Sequence, residues 1–222
     1  GRSLGGLSVG VDRRVGGLSG GVALRVVGGG EDVGGGARFD VSSLGVSLYG
    51  SSVWGGGVFG EGSFVEGSVG YAGVGLRSER VHESGVLRGV RSGGVAFGSV
   101  SYGVGLDVGG VSVEPYGRLV GEHGVLGGFE EWGSEAALVF GGRSLGGLSV
   151  GGGVDVSGVV VRGWGRLVPS LGVEYRLGGR WVSGGVLEYV SLPGVGFGVE
   201  GSSGWGGEWL VRGGFDAWSV GG

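Results

Sequence analysis

Residues 161–177 read VRGWGRLVPSLGVEYRL. The odd positions carry Val161, Gly163, Gly165, Leu167, Pro169, Leu171, Val173, Tyr175 and Leu177, while the even ones include Arg162, Arg166, Ser170, Glu174 and Arg176. A pleated strand turns successive side chains to opposite faces, so this stretch predicts a strand with one apolar and one charged face. The alternation recurs along the chain. Leu7, Val9 and Val11 oppose Ser8, Gly10 and Asp12, and Val22, Leu24 and Val26 oppose Ala23 and Arg25. Val100, Tyr102, Val104 and Leu106 face away from Ser99, Ser101 and Asp107, as Val111, Val113 and Leu119 do from Ser112, Glu114 and Arg118. Leu148, Val150, Val154 and Val156 oppose Ser149, Asp155 and Ser157, and Trp209, Val211 and Phe215 oppose Arg212 and Asp216. In FDVSSLGVSLY (39–49) the apolar parity switches at Ser42–Ser43, which predicts a bulge.

The pattern predicts about ten strands, many of roughly 9–15 residues, separated by turns such as GGGEDVGGG, GEHG and GGR. Strands of globular proteins are shorter, about 5–6 residues, whereas a strand crossing a hydrocarbon layer at ~45° needs about 9–11. The most apolar run is AALVF at 136–140, far too short for a membrane helix. Alternation alone fits two architectures. A soluble sandwich hides its apolar face between sheets; a membrane barrel turns that face to lipid, keeps charges inside, and must close because lipid cannot satisfy a free strand edge. Tyr49, Trp54, Trp164, Tyr175, Trp181, Tyr189 and Trp218 fall at or near predicted strand ends, where a barrel places its aromatic girdles.

Composition narrows the rest. Of 222 residues 66 are Gly, yet the Gly is aperiodic and Pro occurs three times, so collagen is excluded. Seven Trp, eight Phe and six Tyr argue against a disordered linker. Thr, Asn, Gln, Lys, Ile, Met and Cys are all missing. Without Met there is no initiator residue, so the chain reads as a processed product or a piece of a longer one. Without Cys there is neither a disulfide framework nor a thiolate metal site. A net charge of −4, with no basic stripe, gives no partner in nucleic acid. One domain over 1–222 is expected, with no cofactor and no metal.

The ten letters GRSLGGLSVG occur at 1–10 and again at 142–151, and each copy holds a G-x-S-x-G that nominates Ser8 and Ser149 as esterase nucleophiles. In so Gly- and Ser-rich a chain about two such matches arise by chance, and five occur, the others around Ser3, Ser19 and Ser144. The available His82 and His123 lie in polar, turn-like surroundings. No enzymatic activity is expected.

With strands assigned, SVGVDRRVGG followed by GGVALRVV resembles the opening strand pair of the autotransporter translocator β-domain, and VSSLGVSLYGS its next strand. VEPYGRL resembles that family's Pro-Tyr strand, GGFEEWG the loop after it, LVPSLGVEY a later strand, and GVGFGVEG and VRGGFDAW those that follow. The resemblance implies an antiparallel up-and-down transmembrane β-barrel of twelve strands in the Gram-negative outer membrane, with a helix in its pore and a terminal aromatic residue. Against that pattern this chain shows no helical segment, lacks the first strand and stops at WSVGG about two strands early, so it reads as an incomplete barrel domain. The resemblance further implies export of an N-terminal passenger, with that passenger, outer-membrane lipid and the barrel-assembly machinery as partners. Self-cleavage through an Asn within the barrel, as in some members, is not expected in a chain without Asn. On the barrel reading the lumen is lined by Arg25, Glu114, Arg118, Asp155, Arg162, Arg166, Glu174, Arg212 and Asp216. The alternatives are a Gly-rich extracellular structural β-protein that assembles through its edges, and, more weakly, an outer-membrane esterase.

Overall fold

The computed structural model describes residues 2–55, 62–162 and 165–219, and among these none is helical. In chain order the strands are β1 (Arg2–Val15), β2 (Leu18–Gly34), β3 (Ala37–Trp54), β4 (Ser63–His82), β5 (Gly85–Val104), β6 (Leu106–Val108), β7 (Val111–Leu126), β8 (Phe129–Trp132), β9 (Leu138–Phe140), β10 (Arg143–Gly158), β11 (Val160–Arg162), β12 (Gly165–Val182), β13 (Gly185–Tyr189), β14 (Leu192–Val199) and β15 (Ser202–Ser219). Each long strand pairs antiparallel with the next, in the order β1-β2-β3-β4-β5-β7-β10-β12, and β15 joins the far side of β12. β6 prolongs β5 in unbroken register against β7, and β11 prolongs β10 against β12. Nine lanes result, so the fold is an all-β antiparallel sheet curved into an open, incomplete barrel.

Nine antiparallel lanes leave both edge strands, β1 and β15, running in the same direction. A ladder between them would be parallel, and among the described residues the two are not paired. An antiparallel closure of this sheet takes an odd number of further strands.

The strands exceed the expected length, reaching 20 residues in β4 and β5, because several predicted turns are strand. GEHG (121–124) lies inside β7 and pairs with β5 and β10. Of the two GGR stretches, 178–180 lies inside β12, whereas 141–143 leads into β10. Residues 161–177 are not one strand: β11 ends at Arg162 and β12 starts at Gly165, so the alternation holds from Gly165 onward. The bulge expected at Ser42–Ser43 is absent, since β3 runs in unbroken register against both neighbours there. Its parity switch has another cause. On one face of β3 to β5, apolar Leu44, Val46 and Leu48 with Val69 and Tyr71 give way to Arg38, Asp40, Arg77, Glu79 and Arg88; on the other face Ser43 and Ser47 give way to Phe39, Val41 and Leu76. The two faces exchange polarity at one level of the sheet.

Below that level the apolar face is uncovered. Leu171 is 56% exposed and Val173 40%, with Leu148, Val150, Val211 and Phe215 likewise exposed on neighbouring lanes. Among the described residues no second sheet packs there, which removes the sandwich. The opposite face is concave. Tyr116 on β7 hydrogen-bonds Arg212 on β15, although three strand spacings amount to about 14 Å on a flat sheet.

The glycines serve this single layer. On the outer face the Tyr71 ring lies over Gly94, Trp181 over Gly146 and Trp205 over Gly179, each aromatic covering the backbone of the next strand where a side chain is missing. The aromatic-girdle expectation is met by Trp54 and Trp181 at outer strand ends. Tyr175 is mid-strand, and Tyr49 instead points inward over Gly21. Trp164 and the Trp218 side chain lie outside the described residues.

At one rim the lanes break and resume as a small sheet. β8 runs beside the start of β5, β9 pairs β8 and β13, and β13 pairs β14. Arg80 ties this sheet to β4 through a two-pronged ion pair with Glu131, 2.7 and 2.9 Å, with Glu131 only 3% exposed. Arg80 also donates to the Ala136 carbonyl at 3.1 Å.

Candidate functional site: the charged inner wall

Glu174 sits on the concave face of β12, 1% exposed on a sheet only one layer thick. Burial of a carboxylate is tolerated only when it is paired and hydrogen-bonded, and the neighbouring lanes supply the partners. The Tyr116 hydroxyl donates to Oε2 at 2.8 Å. Arg176 donates to Oε1 from Nη2 at 2.9 Å and Nε at 3.1 Å. Arg118 Nη1 and Arg212 Nη1 each stand 3.7 Å from Oε2. Arg212 Nη2 also donates to the Tyr116 hydroxyl and to Asp155 Oδ1, the latter at 3.1 Å, while Arg176 Nη1 lies 3.7 Å from Glu208 Oε1. Arg118 and Arg212 both stack on Tyr116, 5.1 and 5.7 Å from the ring centroid.

Two glycines make the network possible. Gly153 on β10 stands between its ladder partners Tyr116 and Glu174, and a Cβ there would lie 2.6 Å from the Tyr116 hydroxyl. Gly172 stands between Asp155 and Arg212, where a Cβ would collide with Asp155 Oδ1. The missing side chains let Tyr116 and Arg212 reach across a lane. Gly153→Val should therefore push Tyr116 off Glu174 and lower the unfolding free energy by about 1–3 kcal/mol, the cost of overpacking with a lost buried hydrogen bond. Unchanged urea unfolding in detergent micelles would show that the phenol does not need that gap.

Of the nine residues expected to line the interior, four gather here: Arg118, Asp155, Glu174 and Arg212. Glu114 lies beside them on β7, paired with Asp155 and accepting from the Ser112 hydroxyl at 3.1 Å. Arg166 and Asp216 occupy the same face nearer the other rim, at ladder positions opposite Val161 and Val168. Arg25 stands apart on β2, between Ser8 and Gly45. The Arg162 side chain lies outside the described residues. Tyr116, Arg176 and Glu208 complete the cluster and were not among the nine. The signal for Tyr116 was present, since it stands in phase between Glu114 and Arg118.

The nominated nucleophiles have no catalytic setting. Ser8 and Ser149 sit within antiparallel ladders, opposite Arg25 and opposite Val120 and Gly178, with no strand-to-helix turn. Ser19 hydrogen-bonds Ser51 across β2 and β3 at 2.7 Å. His123 is a strand residue on the outer face of β7, whereas His82 ends β4, its Nδ1 2.8 Å from the Ser84 hydroxyl. The charges around Glu174, three Arg against Asp155, Glu174 and Glu208, form a balanced polar belt bracing four lanes.

A family model described as the autotransporter beta-domain matches residues 1–179. No curated protein matches the sequence. Among solved structures, the translocator domain of autotransporter NalP from Neisseria meningitidis superposes with a TM-score of 0.67 at 13% identity, covering 96% of this chain and 80% of that one. The beta domain of the Bordetella autotransporter BrkA gives a TM-score of 0.58 at 16% identity, over 97% of this chain and 89% of that one.

Proposed function

The chain belongs to the autotransporter β-domain family, and from that premise we propose that it walls a polar passage through which an N-terminal passenger reaches the cell surface, and then anchors that passenger. Membership places the chain in the Gram-negative outer membrane with a general role in membrane anchoring and export, and the family is not an enzymatic one. Insertion by the barrel-assembly machinery is the matching route of assembly.

The observation that carries the proposal is the polarity of the sheet. On β3 the outer positions from Ser42 to Trp54 bear no charge. That stretch spans roughly 40 Å along a strand at ~3.3 Å per residue, or about 30 Å when tilted by ~40°, close to the height of a barrel's apolar band. Charges on the outer face of β3 to β5 begin at Asp40, Arg77 and Arg88. Within the band the charges face inward, apart from Arg13 close to the turn that ends β1, and the apolar side chains face lipid. Arg118, Asp155, Glu174 and Arg212 then line a wet passage, with Arg25, Glu114, Arg166 and Asp216 along its length. An extracellular structural protein would gain nothing from an uncovered apolar band of this height. Two-residue turns occur at both ends, at 16–17 and 109–110 on one and at 35–36 and 83–84 on the other, but the longest connections, 127–142 and 183–201, stand at the small-sheet end, and barrels carry their longer loops on the extracellular side. The small sheet therefore faces outside.

An epitope placed ahead of residue 1 in the intact polypeptide tests the reading. In whole cells it should be cut by added protease while the folded chain stays in the outer membrane fraction. An epitope that remains shielded, with the chain correctly inserted, would remove the export role and leave only the anchor.

A further inference from the structure

Toward the small sheet, charge on the outer face is confined to one side of the wall. There β3, β4 and β5 turn Arg38, Arg77 and Arg88 outward, with Asp40 and Glu79 between them, whereas the outer positions of β10, β12 and β15 bear no charge along their whole length. A rim that only had to be wetted would be charged all round. Arg38 and Arg88 both flank Glu79 on the ladder, so two strand spacings set them about 10 Å apart; Arg77, on the lane between, stands about 7 Å nearer the apolar band. The three are not equally engaged. Asp40 accepts from Arg38 at 3.1 and 3.2 Å and leans toward β2, filling the space over Gly30. Glu79 accepts from Arg88 Nε at 3.2 Å. Arg77, across the ladder from Asp40, has no hydrogen-bond or ion-pair partner among the described residues. Beneath it Ser42, Gly75 and Ser92 form a row of small residues, and then Leu44 and Tyr71 open the band that faces lipid. Trp132, beside Arg88 and 52% exposed, sets a ring at the level of the charges, where aromatic residues gather at a membrane interface.

We propose that Arg77, flanked by Arg38 and Arg88, binds the phosphate-bearing headgroup of a lipid in the outer leaflet, whose acyl chains lie along Leu44 and Tyr71. Position identifies the occupant, because the three guanidinium groups stand where the lipid-facing band ends, on the side to which the small sheet points. A guanidinium forks onto two phosphate oxygens, and the small row beneath leaves room for the headgroup between the charge and the hydrocarbon. Asp40 and Glu79 steer Arg38 and Arg88 through exposed pairs, which hold weakly enough for the remaining N–H groups to turn to phosphate. The inference rests on the outward apolar band and on the side assigned to the small sheet, and it needs no passenger.

Native mass spectrometry of the intact polypeptide, extracted from its own outer membrane in a neutral detergent, tests this with lipid A carrying its phosphates and with the same lipid A stripped of them. The phosphorylated form should bind at least about tenfold more tightly, as charge-assisted hydrogen bonds to phosphate require. Arg77→Gln with Arg88→Gln should abolish that preference, whereas Arg13→Gln, outward at the opposite end of the wall, should keep it, and every variant should retain the heat-dependent gel mobility of a folded barrel. Equal affinity for the two lipids would overturn the inference. Full competition by millimolar inorganic phosphate would overturn it in favour of a soluble anion. A preference that survives both Gln changes and needs Mg2+ would overturn it in favour of a cation held by Asp40 and Glu79. A shielded epitope ahead of residue 1, with the lipid preference intact, would remove export and leave this inference standing.

Discussion

Leu171→Arg should prevent stable insertion into a bilayer, whereas Ser170→Arg, one residue away, should insert as wild type does. Leu171 stands on the outer face of β12, flanked by Gly213 and Val156 on the adjacent lanes. A guanidinium there must sit in hydrocarbon, at about 2–4 kcal/mol near mid-bilayer. Ser170 points to the concave side, where its ladder partners are Ser157 and Gly214 and water can solvate a new charge. Folding into vesicles, followed by the mobility difference between heated and unheated protein, measures both. The contrast matters more than either result, because a charge in a soluble core would also damage the Leu171 variant.

Glu174→Ala should be the most damaging change on the inner wall. It removes the acceptor of Tyr116 and Arg176 and the nearest anion to Arg118 and Arg212. Breaking a buried pair on one side costs about 3–5 kcal/mol because the partner charges remain. Asp155 and Glu208 still hold Arg212 and Arg176, which places the loss toward the lower end of that range. Glu174→Gln, which keeps an acceptor, should lose about half as much, on the order of 1–3 kcal/mol. A double cycle with Tyr116→Phe would reveal the coupling as non-additivity in urea unfolding. Additive effects would mean that the belt is a set of independent surface pairs.

Most of the architecture was legible because period-two alternation is a local signal. Leu148, Val150, Trp209 and Val211 fall on the outer face, and Ser149, Asp155 and Arg212 on the inner one, as their parity predicts. What failed did so for two reasons. Glycine-rich stretches mimic turns, and at GEHG the composition pointed to a loop while lanes on both sides supplied ladder partners. Parity also reports which face is apolar rather than which is buried, so the switch at Ser42–Ser43 looked like a bulge when it marks the level at which the surroundings of the sheet change. Tyr49 was misplaced for a related reason: a ring near a strand end suits a girdle, and only pairing with Gly21 shows that it folds inward. The belt was half legible. Its charges stand in phase, but Gly153 and Gly172, which let them meet across lanes, belong to a residue type too abundant in this chain to signal anything alone.

The most direct measurement of the central claim is a spin-label scan of β12 from Ser170 to Leu177, convenient in a chain without Cys. In lipid vesicles, labels at 171, 173, 175 and 177 should be relaxed mainly by oxygen dissolved in the bilayer, and labels at 170 and 176, which avoid the crowded positions 172 and 174, mainly by a water-soluble nickel complex. A period of two in opposite phase for the two agents is the predicted result. Equal protection of the odd positions from both agents would place them in a dry protein core, and would contradict an outer face turned to lipid.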